Sequence, residues 1–347
     1  MTRSVVRLVL AAAVAVAAWL VTLSTSPVSV VAPVLQEALP IAEPDFSLDA
    51  RFVTPVAYEP VYVLEQRAAP MHRVARIDPA SGAQETIWTV PEGSLVHALS
   101  LSPDGGSLAM AVTDDYADPG NDLVLVDLAT GLMTEVWTSD SADHLTDLVW
   151  DLDGGVVWAT RIRGDVDGPA GLSVVAIGVA TGVVVDEIPM AVQPAPLPGG
   201  VAVLDVDPSD GSRRSVTVAG SDGSITIEAT PDGRELDHLV YDPLGGRLFV
   251  AALSESGRGI GIGLGAVAEA STAPIRSSQW LEIGLAGETH RVQRIDVPET
   301  VVYDASITVD GALAIVTQDG LILLPVDSGA EGPVQVMASR AYRKVAA

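Results

Sequence analysis

Five oxygen-bearing side chains, Asp114, Asp115, Asp118, Asn121 and Asp122, fall within nine positions around the bend Pro119-Gly120. Carboxylate and amide oxygens at that density are the donor set that a hard cation such as Ca2+ takes. The spacing matches no EF-hand loop and lacks its bidentate Glu, so a solvated inter-strand loop is the plainer reading; no cofactor other than Ca2+ is suggested. His97, His144 and His238 form a second set, each just ahead of an apolar run. Equivalent positions on repeated units would converge at a channel mouth, where imidazoles serve as metal ligands or acid-base groups. No carboxylate stands at a matching offset from all three, which favours edge histidines bonded to backbone.

Other chemistry is thin. The loops Asp165-Val166-Asp167-Gly168 and Asp205 to Gly211 have hairpin composition, and Arg163-Gly164-Asp165 is a tripeptide too short to carry weight. No G-x-S-x-G, H-E-x-x-H or Walker loop is present, so no catalytic residue is assigned. The absence of cysteine removes disulfides, thiolate metal sites and cysteine nucleophiles.

The elements that must position these residues are announced by two families of turns. Ala80-Ser81-Gly82, Ala129-Thr130-Gly131, Ala180-Thr181-Gly182 and Pro231-Asp232-Gly233 recur at intervals of 49, 51 and 51 residues. Out of phase with them stand Ser102-Pro103-Asp104-Gly105, Asp151-Leu152-Asp153-Gly154, Pro198-Gly199-Gly200, Pro243-Leu244-Gly245-Gly246 and Val309-Asp310-Gly311. Pro presets φ at one turn position and Gly accepts positive φ at another, so both families read as hairpins. Short apolar runs rich in β-branched residues or alanine flank them, and interleaving the families gives four strands per unit. In the second unit these fall near Ala98–Ser102, Ser107–Thr113, Asp122–Asp127 and Met133–Thr138. Later turns are placed at Gly287 and Gly329 to Gly332, which gives six units between about Phe46 and Ala338. Units of this period close radially into an all-β, six-bladed β-propeller of four-stranded antiparallel blades. The fifth unit is long; its alternating Gly259, Gly261, Gly263 and Gly265 suit a closely packed strand or protruding loop through Ser278, not a phosphate cradle.

Ahead of this domain, Arg3 and Arg7 precede an uncharged apolar run, Leu8 to Leu23. Residues 1–23 therefore read as a single transmembrane or signal helix with its arginines inside, and 46–347, the propeller, as exported. Pro27, Pro33, Pro40 and Pro44 make 24–45 a semi-extended linker. Proline at each candidate cleavage junction favours a retained anchor over a secreted or periplasmic product. Net charge is −26, with Lys344 the only lysine. Such a surface repels phosphate backbones, which argues against nucleic-acid binding and for solubility, a basic partner or a cation-binding face.

The stretch Leu99-Ser100-Leu101-Ser102-Pro103-Asp104-Gly105-Gly106-Ser107-Leu108-Ala109, with Leu123-Val124-Leu125-Val126-Asp127-Leu128-Ala129-Thr130-Gly131, resembles blades of WD-repeat-like propellers, most closely the TolB-type branch. The resemblance covers about one and a half blades, and the chain departs from true WD repeats: His97 follows Val96, His144 follows Asp143, and Val126 replaces the tryptophan. It implies a propeller used as a protein-interaction platform. The expected function is thus a membrane-tethered extracytoplasmic scaffold for an envelope protein. The alternative is a divalent-cation-dependent binding or lactonase-like hydrolytic propeller with a site in its central channel.

Overall fold

In the computed structural model the chain divides into Met1–Thr54 and Pro55–Ala347. The structure describes residues 60–66, 72–114, 120–139, 143–220, 223–228, 234–253, 275–285, 292–308, 311–325, 334–338 and 342–347. The anchor and linker, Asp115, Asp118, the turn Pro231-Asp232-Gly233, the glycine-rich stretch 257–265 and the turns at Gly287 and 329–332 lie outside them. Among the described residues no helix is long and apolar enough to cross a membrane.

The second unit is an all-β, six-bladed propeller of four-stranded antiparallel blades. Blade 2 shows the pattern: Leu95–Leu101 innermost, then Ser107–Thr113, Asp122–Asp127 and, outermost, Met133–Trp137. Its second and third strands have the bounds expected from sequence. Blade 3 runs His144–Trp150, Val156–Ile162, Leu172–Gly178 and Val183–Pro189; blade 4 runs Ala191–Leu197, Gly200–Asp205, Ser215–Gly220 and Gly223–Glu228. Blades 5 and 6 share one long strand, Val292–Ile307, which leaves the outer edge of blade 5 and continues as the innermost strand of blade 6.

The ring closes in blade 1, whose innermost strand is the C-terminal Tyr342–Ala346, paired antiparallel to Val61–Gln66. His72–Ile77 and Gln84–Thr89 complete that blade. A repeat count ending at Ala338 does not anticipate this seam, because the strand belongs to a blade whose other three strands begin the domain.

Burial explains why the sequence reads this way. The second strand of each blade is sandwiched between neighbouring blades, so Leu108 to Val112 is a continuous apolar run with every side chain buried. Outermost strands such as Gln84–Thr89 face water and are mostly polar. Six apolar clusters hold the ring, one at each blade interface. Two sets of hairpin turns lie at the same end of the blades: Gly82, Gly131 and Gly182 in the outer hairpins, Gly105, Gly154, Gly199, Gly246 and Gly311 in the inner ones. All eight have φ between 63° and 83°, the left-handed region glycine enters without strain. Gly182 has a second reason to lack a side chain, since a Cβ there would stand 2.2 Å from the Val136 carbonyl of blade 2. The turn expected at Pro231-Asp232-Gly233 does not belong with these hairpins: the outer hairpin of blade 4 closes where Gly220 pairs with Gly223, and positions 231–233 fall between Gly223–Glu228 and Leu236–Asp242, in the connection from blade 4 to blade 5. The connections between blades, and between second and third strands, emerge at the opposite end.

Candidate functional site

Each innermost strand carries an irregularity that sets one or two residues out of the ladder. In blade 2 the pairing steps from Val96 to Ala98 and omits His97; in blades 3, 4 and 5 it omits Asp147-Leu148, Gln193-Pro194 and His238-Leu239. A bulge of this kind re-aims a side chain. The backbones of Asp147, Gln193 and His238 have φ of 50°, 52° and 54°, a left-handed conformation uncommon outside glycine and suggestive of a site where surrounding structure fixes the geometry. Asp304 in blade 6 follows the same step in pairing, and Lys344 in blade 1 sits beside the one at the seam.

These residues, His97 excepted, line a cavity of about 450 Å³ in the central channel, to which all six innermost strands contribute. The remaining wall is mostly apolar, built from Leu99, Leu148, Trp150, Leu239, Tyr241 and Ile307, among others. A volume of this size suits a small organic molecule.

Most of the polar groups at the channel staple one blade to the next. Gln193 N donates to Thr160 Oγ1 at 2.8 Å, His238 N donates to Gln193 Oε1 at 2.7 Å, and Gln193 Nε2 donates to the Asp237 carboxylate. Asp237 also faces Arg213 at 3.4 Å. Burial pushes its carboxyl up, but Arg213, then His238 and these hydrogen bonds, outweigh that and hold it below the usual range. Val345 N donates to Asp304 Oδ2 at 2.8 Å, tying blade 1 to blade 6. Asp147 accepts from Thr146 Oγ1 at 3.0 Å. Burial raises its pKa against the pull of Lys344, and Asp237 and Asp304 push the same way as burial.

His97 and His144 come together, ring centroids 6.0 Å apart and edge to face. His97 Nε2 lies 2.9 Å from Thr113 Oγ1; burial, with His144 and then Lys344 nearby, lowers its pKa to about 4. His238 lines the cavity, apart from that pair as far as ring contacts go. All three lie within the innermost strands, not ahead of them, because the bulge interrupts the alternation that marks a strand in sequence. His144 is the first paired residue of its strand, opposite Ile162, so the bulge residue of blade 3 is Asp147.

In the Asp-rich loop, Asn121 is buried and bonded on both sides to one backbone unit of blade 3. Its Nδ2 donates to Leu145 O at 2.9 Å and its Oδ1 accepts from Leu145 N at 2.7 Å. Asp122 Oδ1 accepts from Ser139 N at 3.1 Å, and Asp114 O accepts from Ser94 Oγ at 3.2 Å. Among the described residues no group of three or more His, Asp or Glu side chains is placed to hold a metal ion. A second interblade tie joins Trp150 Nε1 to Ser100 O at 3.1 Å.

Asp147, Gln193, Asp304 and Lys344 are not legible as a set from the two turn families alone. A signal for most of them exists: a polar residue stands six to eight positions before the inner-hairpin glycine in blades 2 to 6, at His97, Asp147, Gln193, His238 and Asp304.

No protein-family profile and no curated protein matches the sequence. Solved structures do match in shape. A chain of the nidogen/laminin complex gives a TM-score of 0.55 at 9% identity, covering 82% of this chain and 97% of that one. TolB from Acinetobacter baumannii gives 0.53 at 13% identity, over 84% and 67% respectively. A protein assigned as TolB from Agrobacterium tumefaciens gives 0.54 at 12% identity, over 82% and 91%. At these identities the likeness is one of fold, and the chain is a six-bladed β-propeller similar in architecture to TolB.

Proposed function

We propose that this protein is a membrane-tethered, extracytoplasmic propeller that serves as an interaction platform for another protein of the cell envelope. The arginine-led apolar run at residues 3–23 supports the tether. The observation that carries the platform is where apolar surface is exposed. Of the seven large hydrophobic residues exposed among the described residues, Leu132, Met133, Val183, Val185 and Ile225 all belong to the outer hairpins and outermost strands of blades 2, 3 and 4. Equivalent positions in blade 1, Gln84 to Thr86, are polar. Gly182 of blade 3 lies against the Val136 carbonyl of blade 2, so two of these outer edges are continuous. A run of apolar side chains along adjoining edges of an otherwise acidic surface marks a contact face.

The test is site-specific photocrosslinking of the full chain in its own cells. A crosslinker at Val185 is expected to give a discrete adduct with a membrane or envelope protein, and one at Glu85, on the outermost strand of blade 1, is expected to give none. No adduct from Val185 above the Glu85 background would overturn the platform reading.

A further inference from the structure

The central cavity holds the chain's only lysine. Lys344 is 6% exposed and lines the channel cavity from the closing strand; Asp147 feels its charge, but no hydrogen bond or ion pair of its side chain is formed among the described residues. A lysine ammonium carries three donors and no acceptor capacity, so one that lines a cavity without a hydrogen-bonded partner has donors to offer an occupant. The carboxylates around it are already engaged. Asp237 is taken by Arg213 and Gln193, and Asp304 by Val345 N. Asp147 accepts from the Thr146 hydroxyl, and burial raises its pKa against the pull of Lys344. His238 Nε2 is likewise buried with no partner. Lys344 and His238 therefore bring unpartnered hydrogen-bonding groups to a cavity whose wall is otherwise mostly apolar.

We infer that the central channel binds a small amphipathic anion, its acidic head on Lys344 and His238 and its apolar body against Trp150, Leu239 and Ile307. The wall chemistry selects against two neighbours in chemical space. A purely polar anion would leave the apolar lining uncovered, and an apolar molecule without an acceptor would leave Lys344 unpaired. The site is independent of the platform reading, because the outer edges of blades 2 to 4 take no part in it.

A single lysine makes the site directly observable. The full chain, labelled with ¹⁵N-lysine and held in phosphatidylcholine nanodiscs, has one lysine side-chain resonance, which reports Lys344 alone. Titration with hexanoate is expected to move that resonance saturably and to raise the melting temperature. Acetate, which has the head without the body, is expected to act at least tenfold more weakly, and hexylamine not at all. Lys344→Met should weaken hexanoate stabilisation by on the order of tenfold or more, with Lys344→Arg retaining most of it. The inference is overturned if hexanoate gives no saturable shift, if acetate matches it, or if Lys344→Met is stabilised as strongly as the unaltered chain. Should Lys344→Met fail to fold, the comparison of hexanoate with acetate on the unaltered chain decides alone.

Discussion

His97 and Asp147 sit in neighbouring blades and respond to burial in opposite directions, which gives them opposite signatures in pH. The His97 imidazole has its pKa lowered from 6.5 to about 4, chiefly by burial and then by His144 and Lys344. The unfolded chain therefore binds a proton between those values that the folded chain refuses, so this residue's contribution to stability falls as pH drops from 6.5 to 4. The full effect is up to about 3 kcal/mol. Asp147 has a raised pKa from burial, so its folded form keeps a proton that the unfolded chain has lost. That contribution is greatest at low pH and declines as pH rises through the folded value. Urea unfolding at pH 7 and pH 5 separates the two. His97→Gln is expected to lose less stability on acidification than the parent. Asp147→Asn, which removes the buried charge and tolerates the left-handed backbone, is expected to be more stable than the parent at pH 7 by about 1 kcal/mol. Unchanged pH slopes in both variants would mean that neither group titrates as its surroundings dictate.

At the scale of elements, legibility divides at the seam. The hairpin glycines are readable because positive φ restricts the residue, and Ser107–Thr113 and Asp122–Asp127 because strands buried between blades must be uniformly apolar or tightly alternating. The innermost strands look shorter in sequence than they are, since the bulges at His97 and His238 break alternation. The closing strand is not legible at all. Tyr342-Arg343-Lys344-Val345-Ala346 pairs with Val61–Gln66 across nearly the whole domain, and a contact of that separation leaves no mark in the period. Yet the seam bears on the stability of every blade. Tyr342 is fully buried among Val61, Val63, Val316 and Leu323, and its hydroxyl accepts from Gln84 Nε2 at 2.9 Å. Tyr342→Ala is expected to cost about 3–5 kcal/mol through the cavity it leaves, and Tyr342→Phe about 1 kcal/mol. Denaturant melts give the magnitude; amide exchange should quicken first in Val61–Gln66. A Tyr342→Ala protein as stable as the parent would mean that packing at the seam contributes little to the stability of the ring.

For the whole molecule the governing feature is charge. With 45 acidic residues against 19 basic ones, the net charge of −26 opposes the compact state by self-repulsion, and salt relieves it over a screening length of about 10 Å at 0.1 M. The melting temperature is therefore expected to rise with NaCl. The useful comparison is CaCl2 at matched ionic strength, because screening and site binding predict different curves. A Ca2+ site in the Asp114 to Asp122 loop would add stabilisation of about 2.7 kcal/mol at a hundredfold excess over its dissociation constant, beyond anything NaCl supplies. Asn121 argues against that outcome, because its amide holds blade 3 at Leu145 through both its donor and its acceptor, and turning it toward an ion would sacrifice an interblade clamp. The expectation is coincident curves for the two salts, with the acidic surface acting as a diffuse field. A calcium-specific gain that disappears in Asp114→Asn would instead show that the loop binds the ion with its remaining carboxylates and leaves the clamp in place.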